Sequence, residues 1–207
     1  MLDSRRFYVK RGEWAVLAFT LTYTVGFSIW FLLSGNNEFI VYVLTMIMLI
    51  SLVVANFRKV EFPIFMLWLL AFLGLTHMAG GGIIVGKSVL YSYKVVQIAG
   101  SGDLALLKYD QIIHAFGAGV TTWVLWHLLV LNYPILRNTW TVYIYSALAA
   151  VGLGAMNEVI EFSAVLIVQE TNVGGYFNTA LDLVFNSLGA TGAMILIWVS
   201  ERKQKSS

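Results

Sequence analysis

Six long apolar runs separated by short polar stretches make up most of the chain: Trp14 to Leu33, Phe39 to Ala55, Phe62 to Ala79, Tyr109 to Leu131, Trp140 to Val168 and Thr179 to Val199. Each is close to the roughly 20 residues that a helix needs to cross the hydrocarbon of a bilayer. Lipid leaves no partner for a free backbone amide, so only helices and closed barrels can span it. A barrel strand alternates apolar and polar positions over about ten residues, and none of the six runs does so. The pattern predicts an all-α, polytopic bundle of six transmembrane helices in a single domain, residues 1–207, with one long connection at residues 80–108. The first run follows a basic head and lacks a small-x-small cleavage pattern before Asn36, so it is expected to stay as the first helix.

Composition agrees with a multi-pass protein of the cell (inner or plasma) membrane. Hydrophobic residues make up 59% of the 207 and charged ones 12%, with a mean hydropathy of +0.79. The absence of cysteine excludes disulfides, thiolate catalysis and cysteine metal sites. A net charge of +2 is too small to point to a nucleic-acid partner; membrane lipids are the expected neighbours. Cations set orientation. If the N-terminus is cytoplasmic, Arg5, Arg6, Lys10, Arg11, Arg58, Lys59, Arg137, Arg202, Lys203 and Lys205 fall on the inner side, against Lys87, Lys94 and Lys108 outside. Both termini are therefore expected in the cytoplasm. Trp14, Trp30, Trp68, Trp140 and Trp198 fall near span ends, as interfacial belt residues do.

The ionisable residues in the spans gather at one depth. His77 ends the third run, Asp110 and His114 open the fourth, and Asp182 and Asn186 open the sixth. Glu158 and Glu161 lie about 27 and 32 Å along the fifth. All belong to the expected extracytoplasmic side. The spacings i,i+4 (Asp110 and His114), i,i+3 (Glu158 and Glu161) and i,i+4 (Asp182 and Asn186) put each pair on one helix face. Charges inside a membrane bundle face one another, so these faces are expected to meet His77 around a common cavity. Gly117, Ala118, Gly152, Gly154, Gly189 and Gly192, at similar levels, suggest close helix approach there.

At about 6 Å and an effective dielectric of about 20, two carboxylates repel by roughly 3 kcal/mol. Asp110, Glu158, Glu161 and Asp182 together therefore need protons, cationic partners or a metal. A mixed His/carboxylate set suits Zn, Mn or Fe. One reading takes His77, Asp110, His114 and Asp182 as ligands of a divalent metal and Glu158 or Glu161 as the general base for metal-bound water. Asn186, Lys94 and Lys108 would then contact an envelope or lipid-headgroup ligand. The ferritin-type pattern needs two Glu-x-x-His helices, and the chain has none. The alternatives are a small-solute or ion transporter, which lacks a matching inner-side cluster beyond an interfacial His127, and a scaffold held by a polar network.

The 80–108 connection carries GGG at 80–82 and GSGD at 100–103, two expected breaks, around SVLYSYKVVQI, which suits an interfacial segment or a hairpin arm over the cavity mouth.

Four motifs in order, THMAGG (76–81), LLKYDQIIHAFGAG (106–119), MNEVIEF (156–162) and ALDLVFNSLGA (180–190), resemble the YjdF-like group of bacterial inner-membrane proteins and, more distantly, VanZ-like proteins. The chain departs from the YjdF-like pattern at Gln111, where that pattern has Arg, and at Asn178, where it has acidic residues. The resemblance implies a multi-helix membrane protein of the cell envelope and supplies no reaction.

Overall fold

A computed structural model describes residues 10–35, 40–97, 106–167 and 175–206. Arg5, Arg6, Asn36, Phe39, Val168 and the GSGD stretch at 100–103 lie outside the described residues. Six helices form: α1 (Arg11–Ser34), α2 (Ile40–Val60), α3 (Ile64–Gly82), α4 (Tyr109–Asn132), α5 (Trp140–Ile167) and α6 (Tyr176–Ser206). Each is long and apolar enough to cross a membrane. Pro63 at the start of α3 presets the entry turn, where its missing N–H would have had no intrahelical partner. Gly35 ends α1 in the left-handed conformation, φ 66°, which glycine adopts without a Cβ penalty.

GGG at 80–82 does not break the chain; α3 runs through it and ends at Ile83. These glycines admit aromatic rings instead. A Cβ on Gly80 would run into Tyr91, and one on Gly82 into Phe27. Trp30 Nε1 donates to the Gly82 carbonyl at 2.9 Å, which ties α1 to the end of α3. Beyond Ile83, SVLYSYKVVQI divides between two antiparallel pairs rather than forming one arm. The first pair is β1 (Ile84–Val85) with β2 (Ser88–Val89), and a 3₁₀ turn follows at Leu90–Ser92. The second is β3 (Lys94–Gln97) with β4 (Leu106–Lys108), which leads directly into α4.

The helices pack as two groups. The tighter one is α4, α5 and α6, with Ala118, Ala147, Ala150 and Ala190 at its centre. Small side chains let these backbones approach closely, which is the main source of cohesion where lipid is as apolar as the helix surface. The second group sets α3 against α1, with Tyr23, Phe31, Met46 and Met78 buried between α1, α2 and α3. Helix α3 also packs on α4, whereas α2 is mostly exposed and touches α1 and α3 lightly. At the end of the bundle where α1 begins and α6 ends, Glu201 accepts from the Tyr143 hydroxyl at 2.5 Å and lies 3.4 Å from Arg137 Nε. His127 Nε2 donates to the Val60 carbonyl at 2.7 Å, an anchor between α4 and the end of α2.

Close approach is unequal among the expected glycines. Gly189 of α6 lies against the backbone of Ala115, where a Cβ would strike the carbonyl, whereas Gly152 and Gly192 have open space beside them. Their expected role in tight packing therefore does not hold. Gly189→Ala should cost about 1–3 kcal/mol through forced separation of α4 and α6. Gly192→Ala should leave stability unchanged or raise it by up to about 1 kcal/mol. Thermal unfolding of both variants in one detergent checks the contrast.

Candidate metal centre and its cavity

The polar site lies at the end of the bundle where α3 ends, α4 and α6 begin and α5 finishes. His114 stands one helical turn after Asp110 on α4, and its ring lies among four carboxylates. Its Nε2 is 3.6 Å from Asp110 Oδ1 and 3.9 Å from Asp182 Oδ2, and its Nδ1 is 3.5 Å from Glu158 Oε1. Among the described residues two sets of potential ligand atoms result, Asp110, His114 and Asp182 on one side and His114, Glu158 and Glu161 on the other. Within each set the ligand atoms lie within 4.8 Å of one another.

The two sides differ in how far protein groups already satisfy them. Asp182 has no exposed surface, and both its oxygens are held. Gln111 Nε2 donates to Oδ1 at 2.9 Å, and Asn178 Nδ2 donates to Oδ2 at 2.6 Å. The same Asn178 amide donates to Asp110 Oδ2 at 2.9 Å, while its oxygen accepts from Lys108 Nζ at 3.0 Å. Gln111 is fixed in turn, since its Oε1 accepts the Lys108 backbone N–H at 2.8 Å and so caps α4. Across the ring the picture reverses. Glu158 is 6% exposed, and among the described residues neither of its carboxylate oxygens has a hydrogen-bond partner. Glu161 accepts one bond, from Asn157 Nδ2 at 2.7 Å. A buried carboxylate without donors is costly unless it takes up a proton or a cation completes it.

His77 borders the same cavity but belongs to neither ligand set. Its Nδ1 meets the Tyr91 hydroxyl at 2.7 Å, and that hydroxyl also reaches the His77 carbonyl at 2.9 Å. Asn186 is 2% exposed, lies against Gly154, and has an Nδ2 without an acceptor. Lys94 is exposed and directly opposite Lys108 in the β3–β4 pair, an arrangement of like charges that costs stability unless an anion or acceptor intervenes. The sequence reading missed Asn178, Gln111, Asn157 and Tyr91 as members of the site. Two of them carried a periodic signal, because Asn178 is four residues before Asp182 and Asn157 four before Glu161.

From the site a cavity of about 630 Å³ extends between α1, α2 and α3 on one side and α4 and α5 on the other. Asp110, His114, Asn157, Glu161 and Asn186 line its polar end. The remainder is walled mainly by apolar side chains such as Val53, Leu67, Leu70 and Ala71.

A family described as predicted membrane proteins (DUF2238) matches residues 15–203. No curated protein and no solved structure matches the chain. Replacing Asn178 by Leu would remove donors from two carboxylates at once, one of them fully buried. A loss of about 1–3 kcal/mol in stability is expected, measured by thermal unfolding of the purified protein against Asn56→Leu, whose amide only bonds its own helix.

Proposed function

The chain belongs to the DUF2238 family of predicted membrane proteins, and we propose that its His/carboxylate site is a divalent-metal centre that binds and hydrolyses a lipid or envelope headgroup on the extracytoplasmic side. The observation that carries this reading is the asymmetry around His114. On one side of the imidazole, amide donors hold both oxygens of Asp182 and one of Asp110; on the other, Glu158 is buried, 3.5 Å from Nδ1, and has no hydrogen-bond donor among the described residues.

That asymmetry assigns roles. His114 Nδ1, Glu158 and Glu161 form the ligand set, and Asp110 and Asp182 flank Nε2 at 3.6 and 3.9 Å, close enough to act on it as charges but beyond direct hydrogen-bond distance. A carboxylate on the far nitrogen of a ligating histidine fixes its tautomer and raises its basicity. Asp110 and Asp182 therefore orient the ring, and His77, held by Tyr91, stays outside the first set of ligands. Two glutamates and one histidine leave open positions for water, as catalytic rather than structural metal sites do, and the set suits Zn, Mn or Fe. When bound, the ion would supply an activated water and polarise a phosphoryl or carbonyl oxygen. The extracytoplasmic placement is supported by the excess of Lys and Arg at the opposite end of the bundle. The likeness of the four motifs to YjdF-like and VanZ-like proteins supports an envelope setting.

Metal analysis of the purified protein tests the reading. Near-stoichiometric metal is expected in the wild type, lost in a His114→Ala, Glu158→Ala double variant, and weakened by about 10–100-fold in Asp182→Asn, whose effect would pass through the ring. A metal-free wild type, with a double variant of unchanged thermal stability, would contradict it. Failure of the double variant to fold, with no metal in the wild type, would favour a structural polar network.

A further inference from the structure

The walls of the cavity change character along its length. On α4, Asp110, His114, Gly117, Ala118 and Thr121 recur at helical spacing on one face and all line it. The series passes from charged to small to weakly polar within about 16 Å. On α2, Thr45 and Phe57 both border the cavity; they lie about 18 Å apart along the axis, slightly more than half of a hydrocarbon core about 30 Å thick. The lining also takes in Glu13 and Trp14 in the first turn of α1, at the opposite end of the bundle from the site, so the cavity runs deeper than one leaflet.

Its lining selects what fills it. A buried water needs two to four polar partners, and beyond the polar end the walls offer mainly Leu, Val, Ala and Phe side chains. Hydrocarbon needs none. The cavity also reaches the outer surface of the bundle, since its lining residues Leu49 of α2 and Leu153 of α5 are 48% and 54% exposed. An apolar chain could enter sideways there without crossing a polar barrier. Two further polar groups lie at or beside the polar end of this path. Among the described residues, Asn186 lines the cavity with no hydrogen-bond acceptor for its Nδ2, and Glu158, outside the lining, stands 3.5 Å from His114 Nδ1 with no hydrogen-bond donor on either oxygen.

We infer that this cavity receives one hydrocarbon chain of a membrane lipid from the bilayer, through the gap between α2 and α5, so that the polar headgroup rests against Asp110, His114, Asn157 and Glu161. The inference rests on the proposed headgroup chemistry and names its substrate class, a long-chain amphiphile. A chain gains little by leaving lipid for an equally apolar wall. Its seat therefore sets the register and depth of the headgroup, and selectivity comes from the polar end.

The test uses full-length protein reconstituted in vesicles of a phospholipid with a photoreactive diazirine at mid-chain, with labelled residues mapped by mass spectrometry and metal content measured on the same samples. Labelling of the inward-facing Ala71, Gly74 and Ala118 is expected, besides the lipid-facing Leu44, Met48 and Val184. Thr121→Trp, which fills the apolar limb below the site, should reduce inward labelling by about tenfold while metal is retained; Leu70→Trp provides the same obstruction from α3 should the first variant misfold. Labels confined to lipid-facing residues in the wild type, or inward labelling unchanged in a folded obstructed variant, would overturn the inference. A wild type that holds metal but is labelled only on its outside overturns the chain seat and leaves the metal centre standing. Inward labelling in a metal-free wild type upholds the chain seat and removes the metal centre.

Discussion

A carboxylate with no exposed surface inside a membrane bundle has to be neutralised or held by fixed donors, and Asp182 is held. Its two oxygens take the amides of Gln111 and Asn178, which come from the first turns of α4 and α6. Satisfying it brings those two helix starts together, and the α4–α6 pair is the most closely packed in the protein. Once α4 and α6 are fixed by amides at one end and by Gly189 on Ala115 further along, α5 closes the third side through small residues around Ala150. The His114 ring is then placed among groups from three helices.

The same constraint explains why the site has two unlike faces. On the Asp182 face every strong acceptor oxygen of that residue has a donor, and Asn178 and Lys108 extend the chain of bonds outward. On the Glu158 face the protein supplies an acid and withholds the donor. Fully satisfied polar networks rigidify a core, while a partly satisfied one is a store of unmet charge. The proposed cation would take up that unmet charge, and the satisfied face would keep the ring in position to present it.

Much of this was legible in the chain. Helix number and type followed from apolar run length. Convergence of Asp110, His114, Glu158, Glu161 and Asp182 followed from two periodic facts, shared helix faces and shared depth. The neutral amides were not legible in the same way, because Gln and Asn carry no charge to flag a buried position. Gln111 and Asn178 entered only as departures from the Arg and acidic residues of the resembling pattern, yet together they bridge α4, α6 and two carboxylates. An amide pair in place of an ion pair leaves the local charge balance intact. The glycines differ in ways that spacing does not mark: Gly80 and Gly82 admit rings and Gly189 admits a backbone, while Gly152 and Gly192 have nothing close. Spacing cannot tell which side of a helix has a neighbour.

The cavity was legible only at its polar end. Its apolar limb is built from side chains that individually read as ordinary lipid-facing or core residues, and only the separation of α1–α3 from α4–α5 turns them into walls. A charged, incompletely satisfied site thus adjoins a long, mainly apolar cavity. Anomalous diffraction at the absorption edge of the metal found in the purified protein would test the proposed metal centre. The account predicts a peak bounded by His114 Nδ1, Glu158 and Glu161; a peak on the Asp110 and Asp182 side of the ring, or at a site without His114, would contradict it.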